Sequence, residues 1–82
     1  LQGHDENLLQ PCMNSLELAC SDSEWSVRYA AVAALEQRLQ QGLPSDLAPQ
    51  ARALLRQRSQ QEMDDTLVVR LRALLALERL AA

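Results

Sequence analysis

Lysine is absent from these 82 residues, and so is phenylalanine. All eight cationic side chains are arginines, set against 11 acids for a formal net charge of −3. A nucleic-acid binder needs a cationic excess to neutralise phosphates, and this chain has none. Two glycines and three prolines are too few for a disordered or low-complexity chain. The longest unbroken apolar run, Tyr29 to Leu35, is seven residues, far short of the roughly 20 that a membrane-crossing helix requires. No basic stretch followed by an apolar one reads as a signal peptide. The first residue is leucine rather than methionine, as expected of a segment cut from a longer protein. The length leaves room for one small domain, residues 1–82.

Cysteine is scarce too. Cys12 and Cys20 are eight residues apart, which on one helix separates them by about 12 Å along the axis, beyond disulfide reach. Both thiols read as filling apolar space in a reducing cytoplasm. Two thiols and one histidine do not make a zinc site. His4, beside Asp5 and Glu6, reads as part of a mobile end rather than as a ligand. No Ser-His-Asp set, glycine-rich phosphate loop, metal cluster or paired-carboxylate cleft is recognisable, and whether the chain belongs to an enzyme stays open.

What is present is helical periodicity. Leu8, Leu9, Cys12, Met13, Leu16, Ala19 and Cys20 recur at helical spacing, predicting a first helix over about Asp5 to Cys20, with Pro11 near its first turns. Ser21, Asp22 and Ser23 punctuate the chain, and each is a good cap for a second helix over about Glu24 to Gln41; Ser21 with Glu24 has capping-box spacing. Gly42 and Pro44 stop it. Asp46 is the expected cap of a third helix, about Leu47 to Glu62, whose inner row is Leu47, Ala51, Leu54, Leu55 and Arg58. The arginines of that helix, Arg52, Arg56 and Arg58, interleaved with glutamines, read as a solvated face. Asp64-Asp65 marks a fourth start, about Leu67 to Leu80. No segment alternates with period two, so the fold class is all-α.

The decisive signal is internal repetition. Residues 22–36 align without gaps on residues 64–78, an offset of 42. Asp22/Asp64, Val27/Val69, Arg28/Arg70, Ala31/Ala73, Ala34/Ala76, Leu35/Leu77 and Glu36/Glu78 are identical pairs, more than two unrelated amphipathic helices usually share. Asp at the turn, Val-Arg five residues later and Ala-x-x-Ala-Leu beyond resemble the second helix of HEAT repeats, whose units run to about 40–47 residues. That resemblance implies an α-solenoid fragment, right-handed, of two HEAT-like helix pairs with four antiparallel helices: residues 5–41 and 46–80. The fuller strings, Asp22-Ser-Glu-Trp-Ser-Val-Arg-Tyr-Ala-Ala and Val68-Val-Arg-Leu-Arg-Ala, are similar to the cyanobacterial phycobilin lyases of the E/F type and the related phycobilisome-degradation proteins.

The repeated positions have physical roles of their own. Arg28, Val32, Leu35 and Leu39 form one row of the second helix, and Arg70, Leu74, Leu77 and Ala81 the matching row of the fourth. Each arginine heads an apolar stripe, its stem packed and its guanidinium in need of an acceptor. Asp22 and Asp64 supply acceptors, either to helix N–H groups or to an arginine of the adjacent unit, giving a repeat ladder of Asp22, Arg28, Asp64 and Arg70. The alternative is that the arginines grip an anionic ligand. Ala30, Ala31, Ala33 and Ala34 flatten one side of the second helix and let axes approach closely. From Leu71 to Ala82 only Arg72, Glu78 and Arg79 are charged, fewer than a solvated surface helix carries. A following repeat or self-association through this last helix would cover it.

Trp25 and Tyr29, spaced i, i+4, touch on one face and read either as inter-helix packing or as an aromatic platform. The resemblance implies a use for the platform: stacking on a bilin pyrrole while Arg28, Arg70 or Arg72 pairs with its propionates. It also implies an interaction module that holds a phycobiliprotein subunit, with a phycobilin as ligand or substrate and the reactive cysteine on that subunit. The competing reading is a structural HEAT scaffold of an unrelated assembly, without a ligand.

Overall fold

Helix formation follows the apolar periodicity along the chain. The computed structural model describes the backbone of residues 2–81 and the side chains of residues 8–81. Four helices, α1 (Gln2–Ala19), α2 (Trp25–Gln41), α3 (Ala48–Arg58) and α4 (Leu67–Ala81), occupy it, and among the described residues there is no strand. α2 is the hub: α4 packs along it most extensively, α1 lies against it, and α3 bridges α2 and α4. The side chains of His4, Asp5 and Glu6 lie outside the described residues.

Apolar burial sets the arrangement. Val32 and Leu35 of α2, Ala51 and Leu55 of α3, and Val69, Ala73 and Ala76 of α4 are wholly inaccessible to solvent; Met13 and Cys20 close the core from the α1 side. The inner face of α4 presents Val69, Ala73 and Ala76 at i, i+4 and i+7, small enough for it to lie close to α2.

Apart from one-residue differences at the ends of α1 and α4, boundaries differ from the sequence expectation in four places. α1 begins at Gln2, so Pro11 lies inside the helix rather than in its first turns; there it lacks the N–H for an i→i−4 bond and its ring crowds the carbonyl one turn earlier. α2 starts at Trp25 with Glu24 at the N-cap and no side-chain cap. The Asp22 carboxylate instead accepts the Glu24 N–H at 2.9 Å, outside the helix proper. α3 begins one residue late, with Leu47 at its N-cap and no side-chain cap from Asp46. Its opening comes from a backbone turn in which the Leu47 and Ala48 N–H groups donate to the Pro44 carbonyl. α3 also ends at Arg58 rather than Glu62: the Ser59 hydroxyl donates to the Arg56 carbonyl at 2.6 Å, and the chain turns away through Met63. Gly42 ends α2 as expected, with a φ of 99° that side-chain-bearing residues rarely adopt.

Candidate interaction surface

The two turns that precede α2 and α4 are built alike. The Asp22 carboxylate accepts the Glu24 N–H at 2.9 Å, and Asp64 accepts the Thr66 N–H at 3.0 Å. Arg28 Nη1 donates back to the Asp22 carbonyl at 2.8 Å, and Arg70 Nη1 donates to the Asp64 carbonyl at 2.8 Å. The same contacts thus recur 42 residues apart.

Arg28 then does something that Arg70 does not. Its Nε and Nη2 reach both carboxylate oxygens of Asp64, at 2.9 and 3.2 Å, and Nη2 also donates to the Thr66 hydroxyl at 2.7 Å. Arg58 Nη1 approaches the same carboxylate at 3.3 Å from α3. The side chain of Asp64 is inaccessible to solvent, and those of Arg28 and Arg58 are nearly so. Arg58 therefore belongs to the interior and not to the solvated face of α3, where Arg56 remains exposed. Burial alone would raise the Asp64 carboxyl, but the Arg28 and Thr66 hydrogen bonds and the charges of Arg28 and Arg58 outweigh it and hold the group below the usual carboxylate range. Arg28 is shifted upward, chiefly by its hydrogen bond to Asp64 and against the cost of burial.

A second buried link joins α2 to α4. Glu36, only 3% exposed, pairs with Arg72 at 2.7 Å and more loosely with Arg79 at 3.6 Å, and accepts from Gln40 at 3.2 Å. Sequence reasoning noted Glu36 as one of the repeated identities without giving it a role, and had no means of finding Arg58 or Thr66 as partners of Asp64. The signal was present for Glu36: a repeated acid on an otherwise apolar face needs a cation, and Arg72 was the available one.

The residues proposed for ligand contact are thus distributed unequally. Arg28 is committed to Asp64, and Arg72 to Glu36. Arg70 is half-buried, with its remaining guanidinium donors bonded to no other described residue. Trp25 is 50% exposed, and its ring meets Tyr29 edge to face at 6.4 Å. Tyr29 packs against the core.

Beside Tyr29 runs a groove of about 210 Å³ walled by Val68, Leu71, Arg72 and Leu75. Arg72 Nη1 is buried there without a hydrogen-bond partner. Leu67, Val68, Leu71, Leu74 and Leu75 all stand exposed on α4, Leu67 and Leu71 by more than half. Their α2 counterparts show the contrast: Val32, which corresponds to Leu74, is wholly buried under α4. Only at Leu74, and in part at Leu71 and Leu75, whose counterparts Tyr29 and Ala33 are half-buried, does the outer side of α4 stand at repeat positions that α2 covers; the counterparts of Leu67 and Val68, Trp25 and Ser26, are exposed.

A HEAT repeat model matches residues 12–37, the second half of α1 and most of α2. The chain carries a HEAT-like repeat. Its all-helical architecture agrees with that match. No curated protein and no solved structure matches the chain at a significant level. No helix among the described residues is long and apolar enough to cross a membrane, and no group of three acidic, histidine or cysteine side chains among them is placed to hold a metal ion. The HEAT-like unit's two thiols are free. Burial pushes the Cys20 thiol up to about 11, while Cys12 is half-buried, with Arg38 Nη2 donating to its sulfur at 3.4 Å.

Proposed function

We propose that this HEAT-like protein is a protein-interaction scaffold whose binding face is the outer side of α4 together with Trp25 and Tyr29 of α2. The observation that carries the reading is the uncovered row of Leu67, Val68, Leu71, Leu74 and Leu75. Contiguous apolar surface of this kind marks a site of association. A photo-crosslinking residue at position 71, compared with one at exposed Gln57 on α3, tests it. A discrete protein adduct from position 71 alone is the expected result; equal labelling from both positions would remove the face from consideration.

The resemblance of the Asp22–Ala31 and Val68–Ala73 strings to phycobilin lyases supplies a finer reading, in which the partner is a phycobiliprotein subunit carrying a bilin. The half-exposed Trp25 ring beside an apolar groove supports it, as does Arg70 with its spare donors. Arg28 and Arg72 would contribute little to propionate binding, since each is already paired. Two free thiols suit a reducing, cytoplasmic setting. Titrating phycocyanobilin with the protein and following its absorption tests the pigment reading: a spectral shift lost in Trp25→Ala supports it, and an unchanged spectrum discards it.

A further inference from the structure

The exposed stripe of α4 is complementary to itself. Leu67, Leu71, Leu74 and Glu78 follow at i, i+4, i+7 and i+11, and Leu74 lies midway between Arg70 and Glu78, four residues from each. Glu78 is exposed, unlike its repeat partner Glu36, which is buried against Arg72. Arg70 spends Nη1 on the Asp64 carbonyl and keeps its other donors. The two charges flanking the apolar centre are therefore opposite and equidistant from it, and among the described residues neither pairs with an opposite charge.

We infer that the occupant of this face is a second copy of the chain, docked with its α4 antiparallel to the first about a twofold axis through Leu74. This rests on the reading of α4 as the binding face and takes a second copy, in place of a phycobiliprotein subunit, as its occupant. In that arrangement Arg70 of each copy meets Glu78 of the other, and the contact is isologous, closing at two copies. Leu71 and Leu74 fill the middle, while Leu67 lies against the small Ala81 of the other copy. A parallel pairing would set Arg70 against Arg70 and Glu78 against Glu78, so the charges select the antiparallel one. The other charged side chains of the helix are engaged elsewhere: Arg72 and Arg79 turn to Glu36.

Sedimentation equilibrium of the intact chain under reducing conditions, over rising concentration, tests the inference. The expected mass approaches that of two chains. Glu78→Arg, which touches no intrachain bond described above, raises the dimer dissociation constant about tenfold or more. Adding Arg70→Glu to Glu78→Arg restores affinity, because the swapped charges again oppose. In a Cys12→Ser background, Leu74→Cys oxidises to a covalent dimer and Leu67→Cys does not. Circular dichroism checks that each variant retains its helices. A monomer at every concentration, or a dimer indifferent to Glu78→Arg and lacking the Leu74→Cys cross-link, overturns the inference. Adducts from position 71 to a different protein, alongside a monomeric mass, would defeat the second copy and leave the α4 face standing.

Discussion

Arg28 of α2 clamps Asp64, 36 residues ahead of it, through Nε and Nη2 at 2.9 and 3.2 Å, and the carboxylate so held is fully shielded from solvent. Asp64 also orders the start of α4 through the Thr66 N–H. One side chain thus serves three helices, because Arg58 reaches it from α3.

Replacing Asp64 leaves the buried Arg58 guanidinium without its anion and Arg28 with only the exposed Asp65 carboxylate, at 3.7 Å. Asp64→Ala is expected to cost about 3–5 kcal/mol, as breaking a buried pair does. Asp22→Ala removes the acceptor for the Glu24 N–H and is expected to cost about 1 kcal/mol, in the range of a single exposed hydrogen bond. Urea denaturation of the two variants measures the ratio.

Acid should find the same carboxylate. Asp64 titrates lower in the folded chain than in the unfolded one, so the native state binds fewer protons than the unfolded state below the ordinary carboxylate pKa. Its stabilising contribution is fully present above a pH of about 4 and is lost as pH falls through the folded-state value. A urea midpoint followed from pH 7 to pH 2 should fall steeply for the native sequence. In Asp64→Asn that acid limb should be shallower.

Glu36 and Arg72 form the second link, and breaking it is distinguished from replacing it. Glu36→Ala strands the Arg72 guanidinium and is expected to cost about 3 kcal/mol. Glu36→Leu with Arg72→Met should recover most of that, since apolar residues of similar volume replace such pairs well. Arg79, half exposed and 3.6 Å from Glu36, should contribute less than about 0.5 kcal/mol in Arg79→Ala.

The two thiols should react in sequence. With its pKa near 11 and its sulfur in the core, Cys20 holds about one part in ten thousand as thiolate at neutral pH. Cys12 is half-buried at the surface of α1. A thiol-titrating reagent should modify Cys12 in the native protein and Cys20 only on unfolding. Simultaneous labelling would show that α1 lifts from α2 under native conditions.

Core and rim leucines separate the packing from the association role. Leu55, inaccessible to solvent, should lose about 2–5 kcal/mol as Leu55→Ala. Leu71→Ala, at 53% exposure, should lie within about 0.5 kcal/mol of the native stability. Thermal unfolding distinguishes them.

Four helices and an apolar outer face on α4 that calls for a cover were legible in the sequence, through apolar spacing and the shortage of charge after Leu71; within this chain that face is uncovered. The 42-residue offset pointed to the right pairs of turns, since Asp22 and Asp64 each accept from the N–H two residues on. Helix ends were less legible where the backbone supplied its own stop: a Pro44 turn displaced Asp46, and Ser59 bonded to Arg56 ended α3 early. Arg58 illustrates the remaining difficulty. Its place in the inner row with Ala51, Leu54 and Leu55 holds, whereas its reading as part of a solvated face with Arg52 and Arg56 does not, because Asp64, beyond the α3 turn, engages it. Spacing along one helix carries no information about an acid that arrives from a loop.

The clamp on Asp64 has a consequence for the order in which the chain matures. During synthesis α1 and α2 emerge first, and until residue 66 follows, Arg28 has neither the carboxylate nor the hydroxyl that it holds in the finished structure. Val32 and Leu35 must likewise wait for α4 to cover them. The α1–α2 segment is thus born incomplete, and a nascent chain arrested before α4 would be a substrate for chaperones rather than a folded unit.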